Sequence, residues 1–281
     1  MSVACALPGS DDLAPFYCAE RETRSGSNAT VWRVMDLLGR KCALKIALGD
    51  DKRWHDGVLR EAKAQDMVRH RGVPRVFTVG TYDGKPAMVS EWVEGETLKS
   101  AIQDREIDFP IAYVLDVIAS AASVLKAVHR AGVVHRDIKP ANLIVNGTDV
   151  SVIDFGLALL PDGSGASVEN ELKRAGTPLY LAPEVEPSPA VDVYSLGCCA
   201  YELLTGRPPF PGEFAKAVIT RHEQEAVLPP SELRRDVPPS VDRLLLKALA
   251  KRPADRYLNA AAFEHEARWV RDFMTGGRRV S

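Results

Sequence analysis

HRDIKPANL, residues 135–143, places three polar side chains, Asp137, Lys139 and Asn142, within one short segment. It follows a long apolar stretch with helical periodicity, residues 111–131, and it precedes two short apolar runs. Those runs flank an Asn-Gly pair, the strongest short-range signal for a β-hairpin. The segment is therefore predicted to form a loop between a helix and a hairpin.

Each of these side chains suits the chemistry at the γ-phosphate of a bound nucleotide. An Asp can accept the proton of an attacking hydroxyl, a Lys can neutralise developing charge, and an Asn oxygen can bind Mg²⁺. Another acidic residue, Asp154, opens the tripeptide DFG on the far side of the predicted hairpin. No packing requirement explains this set, so the pattern indicates a functional site.

HRDIKPAN, DFG and the later segment GTPLYLAPE, residues 176–184, together resemble the eukaryotic-like, or bacterial Hanks-type, serine/threonine protein kinases. The resemblance implies an α+β, bilobal protein-kinase fold. A small antiparallel β-sheet lobe would carry one helix, and a larger lobe would be mainly helical. It also implies that Asp137 is the catalytic base, that Lys139 stabilises charge, and that Asn142 and Asp154 bind Mg²⁺, or Mn²⁺ in its place.

The first third of the chain fits the small lobe. Four short apolar and β-branched runs between residues 31 and 93 predict an antiparallel sheet, interrupted by a helix over residues 52–70. Lys45 lies in one of these runs, where an unpaired ammonium group would be costly. By the resemblance, Lys45 binds the ATP phosphates and Glu61, on the predicted helix, is its ion-pair partner.

The resemblance also assigns the remaining contacts with ATP. Ser90 takes the gatekeeper position, and the segment after it offers backbone groups to adenine. The assigned nucleotide-binding residues are Gly26, Val31, Ala43, Glu91, Val93 and Leu143.

The second half of the chain has mainly helical periodicity. Helices are predicted over residues 97–105, 111–131, 190–205, 213–222, 240–250 and 259–274. The kinase domain is accordingly predicted over residues 16–274, with a small lobe to residue 90, a hinge over 91–96 and a large lobe from 97. Residues 1–15 are interpreted as a short extension and residues 275–281 as a tail.

The resemblance is poorest in the loop that covers the nucleotide phosphates. The family pattern GxGxxGxV falls on residues 24–31, where only the middle glycine, Gly26, is present. Glycine lets backbone N–H groups approach a phosphate closely, so the side chains of Arg24 and Ala29 could weaken or stiffen that approach, and the sequence does not determine their effect on ATP affinity. This departure supports an alternative interpretation, a pseudokinase scaffold, whereas the complete set of catalytic side chains favours an active enzyme. A small-molecule kinase is disfavoured by GTPLYLAPE.

Gln65 lies one helical turn after Glu61, where the family usually has an apolar residue that links the lobes. Read as an ordinary helix residue, Gln65 is predicted to turn partly to solvent.

Regulation by autophosphorylation is a further hypothesis. Ser164, Ser167 and Thr177 lie between the DFG and APE motifs, and Arg136 precedes the catalytic Asp. In the family, an Arg at this position often binds a phosphorylated loop residue. Thr177 also resembles a threonine that hydrogen-bonds the catalytic Asp and Lys. Ser281, which follows two arginines, resembles a phosphoacceptor but is interpreted as part of the tail.

Composition limits the class of protein and its partners. The 281 residues carry a formal charge of −2, so no overall field draws the chain to nucleic acid or to an anionic membrane. The five cysteines have neither disulfide-framework nor zinc-site spacing. No secretory signal is recognised, and the most apolar stretch, residues 111–134, is interrupted by charged residues. A cytoplasmic enzyme acting on protein substrates is predicted, with a transient dimer for autophosphorylation; the sequence does not determine its oligomeric state.

Overall fold

The computed structural model describes residues 5–6, 13, 17–25, 29–103, 109–165, 178–184 and 186–276. These residues form two compact units. The first comprises the described residues up to Arg69 together with Val73–Glu94. The second comprises His70–Gly72 and the described residues from Gly95 onward. The chain leaves the first unit at Glu94, which lies inside the hinge predicted over residues 91–96.

The first unit is built on a six-stranded antiparallel sheet with the strand order β1-β2-β3-β4-β6-β5. The strands are β1 (Cys5–Ala6), β2 (Tyr17–Ser25), β3 (Ala29–Met35), β4 (Lys41–Ala47), β5 (Val76–Tyr82) and β6 (Lys85–Glu91). The antiparallel sheet predicted between residues 31 and 93 is thus confirmed, and it is preceded by two further strands.

Strand β4 has two different faces. Cys42, Leu44 and Ile46 are buried in a cluster of apolar side chains contributed by the neighbouring strands. Successive side chains of a strand point to opposite faces, so Ala43 and Lys45 point away from this cluster. Lys45 is thereby presented on the face where it meets helix α1 (Lys52–Asp66).

Helix α1 begins at a side-chain cap and ends earlier than predicted. The carboxylate of Asp51 accepts hydrogen bonds from the N–H groups of Arg53 (2.9 Å) and Trp54 (3.3 Å), which a helix start leaves unpaired. The helix stops at Asp66, four residues before the predicted end. The helix ends there because His70–Gly72 pack in the second unit. In that unit the Gly72 carbonyl accepts a hydrogen bond from the N–H of Val152 at 2.8 Å.

The second unit is mainly helical. Its helices are α2 (Leu98–Gln103), α3 (Ile111–Arg130), α4 (Pro189–Thr205), α5 (Ala215–Gln224), α6 (Pro239–Ala248) and α7 (Ala260–Met274). Single 3-10 turns occur at Pro140–Asn142, Pro230–Glu232 and Pro253–Asp255. The predicted helices from α3 onward are confirmed with ends shifted by at most two residues. Helix α2 is described to Gln103, and residues 104–108 lie outside the described residues.

Helix α3 is the central helix of this unit. It packs against α7, α4 and β9 (Asp149–Val152), and most of its residues are buried there. By length and composition alone α3 could cross a membrane. Its burial by neighbouring elements is instead typical of the core helix of a globular domain, as predicted from the charged residues within the stretch.

A second, three-stranded sheet carries the predicted hairpin. Strand β8 (Leu143–Asn146) pairs with β9 (Asp149–Val152) on one side and with β7 (Glu96–Thr97) on the other. Gly147 occupies the turn with φ of +62°, a left-handed conformation that glycine adopts without steric cost. The Asn-Gly hairpin is confirmed, and it places residues 135–142 between α3 and β8.

The two adjacent cysteines of α4, Cys198 and Cys199, are buried and free. Burial raises the pKa of both thiols far above that of an exposed cysteine. The thiols therefore stay protonated and pack as small apolar groups, as the apolar sequence around them predicts.

Candidate active site

In the first unit, Lys45 and Glu61 form an ion pair. Lys45 Nζ lies 2.6 Å from Oε1 of Glu61 on α1. The Glu61 side chain is 7% exposed and that of Lys45 is 21% exposed, so the pair is largely withdrawn from water. An isolated charge would be unfavourable in such a place, and each group offsets the burial cost of the other. The structure thus brings together the two residues that were paired from the sequence.

Small side chains lie beside this ion pair on the same face of the sheet. Val31 is the cross-strand partner of Lys45, and Ala43 is two residues before Lys45 on β4. Ser90 is the cross-strand partner of Ala43 on β6 and is buried. Directly opposite residues of antiparallel strands share a face, so Val31, Ala43, Lys45 and Ser90 form one surface. Their contact with adenine and phosphates stays a prediction.

In the segment after Ser90, some hydrogen-bonding groups are already used within the first unit and are not available to a nucleotide. The Glu91 N–H donates to the carbonyl of Arg75 at 2.8 Å, and the Glu91 carboxylate accepts from the Arg75 N–H at 3.3 Å. A contact between Glu91 and adenine must therefore use the Glu91 carbonyl oxygen. Val93 follows β6 in an irregular segment. Gly26 lies outside the described residues.

Gln65 is buried, so the prediction that it turns partly to solvent is wrong. Gln65 is only 3% exposed, and its Nε2 donates a hydrogen bond to the carbonyl of Pro74 at 2.7 Å. Residues four apart on a helix share a face, so Gln65 lies on the same inward side of α1 as Glu61. The hydrogen bond ties the end of α1 to the segment that enters β5. Gln65 is thus suited to hold the helix that carries Glu61.

The variant Gln65→Leu is expected to lower stability by about 1–3 kcal/mol, because it leaves the buried Pro74 carbonyl without a donor. Loosening of α1 should also raise the KM for ATP through Glu61 and Lys45. Urea denaturation and steady-state kinetics measure the two effects. Lys63→Leu, at an exposed position of the same helix, is the matched control and should leave both values unchanged. Equal stability of the two variants would contradict this role of Gln65.

In the second unit, the three polar side chains of the loop over residues 135–142 form one hydrogen-bonded cluster. Lys139 Nζ lies 2.9 Å from Oδ1 and 2.7 Å from Oδ2 of Asp137. The Asn142 amide nitrogen donates to both the carbonyl and Oδ2 of Asp137, each at 2.9 Å. The loop therefore holds a carboxylate between an ammonium and an amide. This arrangement fixes the direction in which the free side of the carboxylate points.

The orientation of Asn142 suits a metal ligand. Its nitrogen is used by Asp137, and its Oδ1 is buried without a hydrogen-bond partner among the described residues. Buried polar atoms are almost always paired, so an unpaired oxygen indicates a ligand that completes it. Carboxylate and amide oxygens are the ligands that Mg²⁺ binds in nucleotide sites.

Asp154 follows β9 with φ of +67°, a strained conformation for a residue with a side chain. Within the described ranges, no group of three or more His, Cys, Asp or Glu side chains could hold a metal alone. Asp154 and Asn142 would supply oxygen ligands to a divalent ion, which Mg²⁺ prefers. Leu143, predicted to contact the nucleotide, is buried at the start of β8.

His135 fixes the loop to its surroundings. It is fully buried, its Nδ1 accepts from the Asp137 N–H at 3.2 Å, and its Nε2 is 3.2 Å from the carbonyl of Ile153. Because Nδ1 is an acceptor, Nε2 is the ring nitrogen that donates to this carbonyl. The buried ring of Phe155, from the DFG motif, packs edge-on against the imidazole with centroids 4.7 Å apart.

The side chain of Asp192, on α4, binds the backbone of the same loop. It is fully buried and accepts hydrogen bonds from the N–H groups of His135 (2.9 Å) and Arg136 (2.8 Å). Arg136 has φ of +66°, so these bonds stabilise a left-handed residue next to Asp137. These contacts suit Asp192 to orient the backbone of the loop that carries Asp137.

His129 was not recognised from the sequence, although its Nε2 lies 2.8 Å from Oδ2 of Asp192. Burial opposes ionisation of Asp192, but the hydrogen bonds from His129 and the loop hold the pKa of Asp192 below its ordinary value. A histidine in the last turn of a mainly apolar helix was the available signal. Its partner lies 63 positions away, which periodicity does not reveal.

Burial raises the pKa of Asp137 above that of an ordinary aspartate, the Lys139 ammonium opposes this rise, and the charge of Asp154 adds to it. As the predicted proton acceptor, Asp137 must be ionised, so we expect activity to fall as pH drops through this pKa. Lys139→Met removes the cation and should move the acidic limb of the kcat/KM profile to higher pH. Lys216→Met, at an exposed position of α5, should leave the limb in place. An unmoved limb in Lys139→Met would contradict this coupling.

The end of the GTPLYLAPE segment is anchored in the second unit. Glu184 accepts two hydrogen bonds from Arg256, at 2.6 and 2.7 Å. Ser164 is exposed and donates to Asp162 at 2.6 Å. Ser167, Thr177 and Ser281 lie outside the described residues, so the hypothesis of phosphorylation there stays a prediction.

Comparison with known families agrees with these features. Residues 17–268 match the family model described as the protein kinase domain. The chain belongs to the protein kinase family. The resemblance predicted from HRDIKPAN, DFG and GTPLYLAPE is thereby confirmed, as is the α+β kinase fold with a sheet unit and a helical unit.

This kinase chain is similar to several bacterial proteins. The serine/threonine-protein kinase PknB of Mycolicibacterium smegmatis is 38% identical over 251 residues, covering 84% of this chain and 40% of that protein. A probable serine/threonine-protein kinase PknB of Corynebacterium glutamicum is 36% identical over 266 residues, covering 89% and 41%. A probable serine/threonine-protein kinase of Clostridium acetobutylicum is 33% identical over 258 residues, covering 88% and 39%. The chain spans about two fifths of the length of these relatives.

Proposed function

We propose that this chain is a serine/threonine protein kinase, which transfers the γ-phosphate of ATP to serine and threonine hydroxyls of proteins. Membership of the protein kinase family implies ATP and a divalent metal ion as cofactors and a protein as substrate. The observation that carries the proposal is the cluster of Asp137, Lys139 and Asn142, with the unpaired oxygen of Asn142 beside a hydrogen-bonded carboxylate.

In the proposed reaction, the substrate hydroxyl oxygen bonds to the γ-phosphorus while the bond from that phosphorus to the β–γ bridging oxygen breaks. Asp137 orients the hydroxyl and accepts its proton, and ADP leaves with the bridging oxygen. The Lys139 ammonium is held at the Asp137 carboxylate. From this position it offsets negative charge on the γ-phosphoryl group during the transfer. The proton on Asp137 then passes to solvent.

The remaining roles concern the nucleotide. Lys45, held by Glu61, binds the α- and β-phosphates, and Val31, Ala43, Glu91, Val93 and Leu143 contact the nucleoside. Asn142 and Asp154 would hold Mg²⁺, which would neutralise phosphate charge. Gly26 is proposed to approach the phosphates through its backbone. Mn²⁺ shares the preference for oxygen ligands and is the proposed substitute.

The scaffold alternative rested on the glycine-poor loop over residues 24–31. Nothing in the comparisons favours it, since the similar proteins carry the names of serine/threonine kinases. The catalytic side chains that a scaffold would not need are all present.

The biological setting is proposed from the sequence and the family. The catalytic domain extends over residues 16–274, with the hinge at 91–96, and residues 1–15 and 275–281 lie outside it. The domain acts in the cytoplasm on protein substrates, without nucleic acid or membrane as partner. Autophosphorylation proceeds in a transient dimer.

A peptide-array assay with ATP and Mg²⁺ tests the proposal. Arrays that carry serine, threonine or tyrosine at one fixed position separate the three acceptor types, and an aminoglycoside acceptor is included. We expect phosphate on serine and threonine only. Transfer to tyrosine or to the aminoglycoside alone would contradict the proposal, as would a folded chain that transfers phosphate to none of them.

A further inference from the structure

A groove between α6 and α7 lies away from the catalytic loop. It contains a cavity of about 340 Å³. Helix α6 lines it with residues that include Arg243, Leu244 and Lys247, and α7 lines it with Glu266, Trp269 and Val270. These positions are three or four residues apart, so each helix contributes one continuous face. The cavity shares no lining residue with the loop over residues 135–142.

The groove is apolar at its floor and continues outward as an exposed aromatic pair. Leu244, Tyr257 and Val270 are buried beneath it. Trp269 is 42% exposed and stacks on Phe273, which is 68% exposed, with ring centroids 5.6 Å apart. Adjacent exposed aromatic side chains at the edge of a cavity mark surfaces that bind a partner, because covering them removes a large apolar area from water.

The rim of the groove is positively charged. Arg243 and Lys247 are both exposed, and Arg243 makes no ion pair within the part of the chain that the structure describes. The Lys247 ammonium lies 4.6 Å from the centroid of the Tyr257 ring, which holds it at the cavity. One acidic residue, Glu266, faces these two cations among the lining residues. The groove therefore favours a partner with negative charge around an apolar group.

We propose that this groove docks a segment of a protein substrate in which leucine or phenylalanine is flanked by aspartate or glutamate. The apolar side chain enters the cavity against Leu244, Val270 and Trp269, and the carboxylates pair with Arg243 and Lys247. The proposal rests on the proposed kinase function for the nature of the partner. Docking away from the catalytic loop raises the local concentration of the substrate without taking part in the transfer.

Fluorescence polarisation without ATP tests binding directly. The probe is a labelled peptide with Leu-Phe between two Glu-Asp-Glu segments. We expect binding to the wild-type chain and at least about tenfold weaker binding to Trp269→Ala and to the double variant Arg243→Glu with Lys247→Glu. The controls are Phe214→Ala and Arg252→Glu, which change exposed residues outside the groove and should bind within twofold of wild type.

Two altered peptide probes test whether the groove recognises the acidic and the apolar residues of the peptide. Exchange of the acidic residues for lysine, or of Leu-Phe for Ser-Ser, should abolish binding. Equal binding of these probes, or of wild type and Trp269→Ala, would overturn the proposal. Sedimentation that shows a wild-type dimer lost in Trp269→Ala would also overturn it, since a second copy would then occupy the groove.

A steady-state kinetic experiment connects docking to catalysis. A serine peptide fused to the acidic probe should have at least about a tenfold lower KM than the peptide alone, with equal kcat, and Trp269→Ala should remove the difference. Equal KM values in the wild type would overturn the docking role. An inactive chain that still binds the probe would contradict the kinase function while leaving the groove as a peptide-binding site.

Discussion

Replacing Asp137 with asparagine is expected to lower kcat by about 10²–10⁴-fold while ATP still binds. The amide has nearly the same shape and keeps an oxygen for Lys139, whose Nζ lies 2.7–2.9 Å from the carboxylate oxygens. It cannot accept the proton of a substrate hydroxyl at neutral pH. Initial rates of phosphate transfer at saturating ATP, together with titration of a fluorescent nucleotide, separate the loss of catalysis from any loss of binding.

Asp149→Asn is the matched control, because Asp149 is a largely exposed aspartate on β9 of the same unit. Its kcat should remain within twofold of wild type. An Asp137→Asn chain with undiminished kcat would falsify the assignment of Asp137 as the proton acceptor.

Arg256→Ala should lower the free energy of unfolding of the second unit by about 3–5 kcal/mol. The Arg256 side chain is fully buried and donates to both carboxylate oxygens of Glu184 and to the carbonyls of Ala190, Ala250 and Lys251. Truncation leaves a carboxylate that is 15% exposed without its partner. Arg256→Lys should recover little, since an ammonium cannot reproduce the planar fork of donors. Urea denaturation followed by circular dichroism measures the loss.

Arg252→Ala removes an arginine four residues earlier whose side chain is 78% exposed. Its effect should stay within about 0.5 kcal/mol, as for most surface substitutions. If Arg256→Ala destabilised no more than Arg252→Ala, the anchoring role of the Glu184–Arg256 pair would be wrong.

Features that depend on short spans of sequence were predictable. The hairpin followed from Asn-Gly between two apolar runs, and Gly147 does adopt the left-handed conformation that such a turn needs. The pairing of Lys45 with Glu61 followed from the cost of an isolated ammonium in an apolar strand together with the resemblance. Asp137, Lys139 and Asn142 meet because a loop of six residues gives them little room to separate.

Features whose distant partners carry no recognised family motif were not predictable. The acceptor of Gln65 is a carbonyl in the segment before β5, and a polar residue on a charged helix gives no sign of such a partner. His129 reaches Asp192 across two helices that are far apart in sequence. Helix α1 ends early because His70–Gly72 pack in the second unit. In each case tertiary packing overrides the local signal.

The most direct test of the central claim measures nucleotide binding and phosphate transfer on the same preparations of wild type and Asp154→Asn. Circular dichroism first confirms that both are folded, and radiolabelled ATP with Mg²⁺ then reports autophosphorylation and transfer to generic protein substrates. We expect phosphoserine and phosphothreonine from the wild type and none above background from Asp154→Asn. A folded wild type that binds ATP but transfers no phosphate, or an Asp154→Asn chain that transfers as fast as wild type, would contradict it.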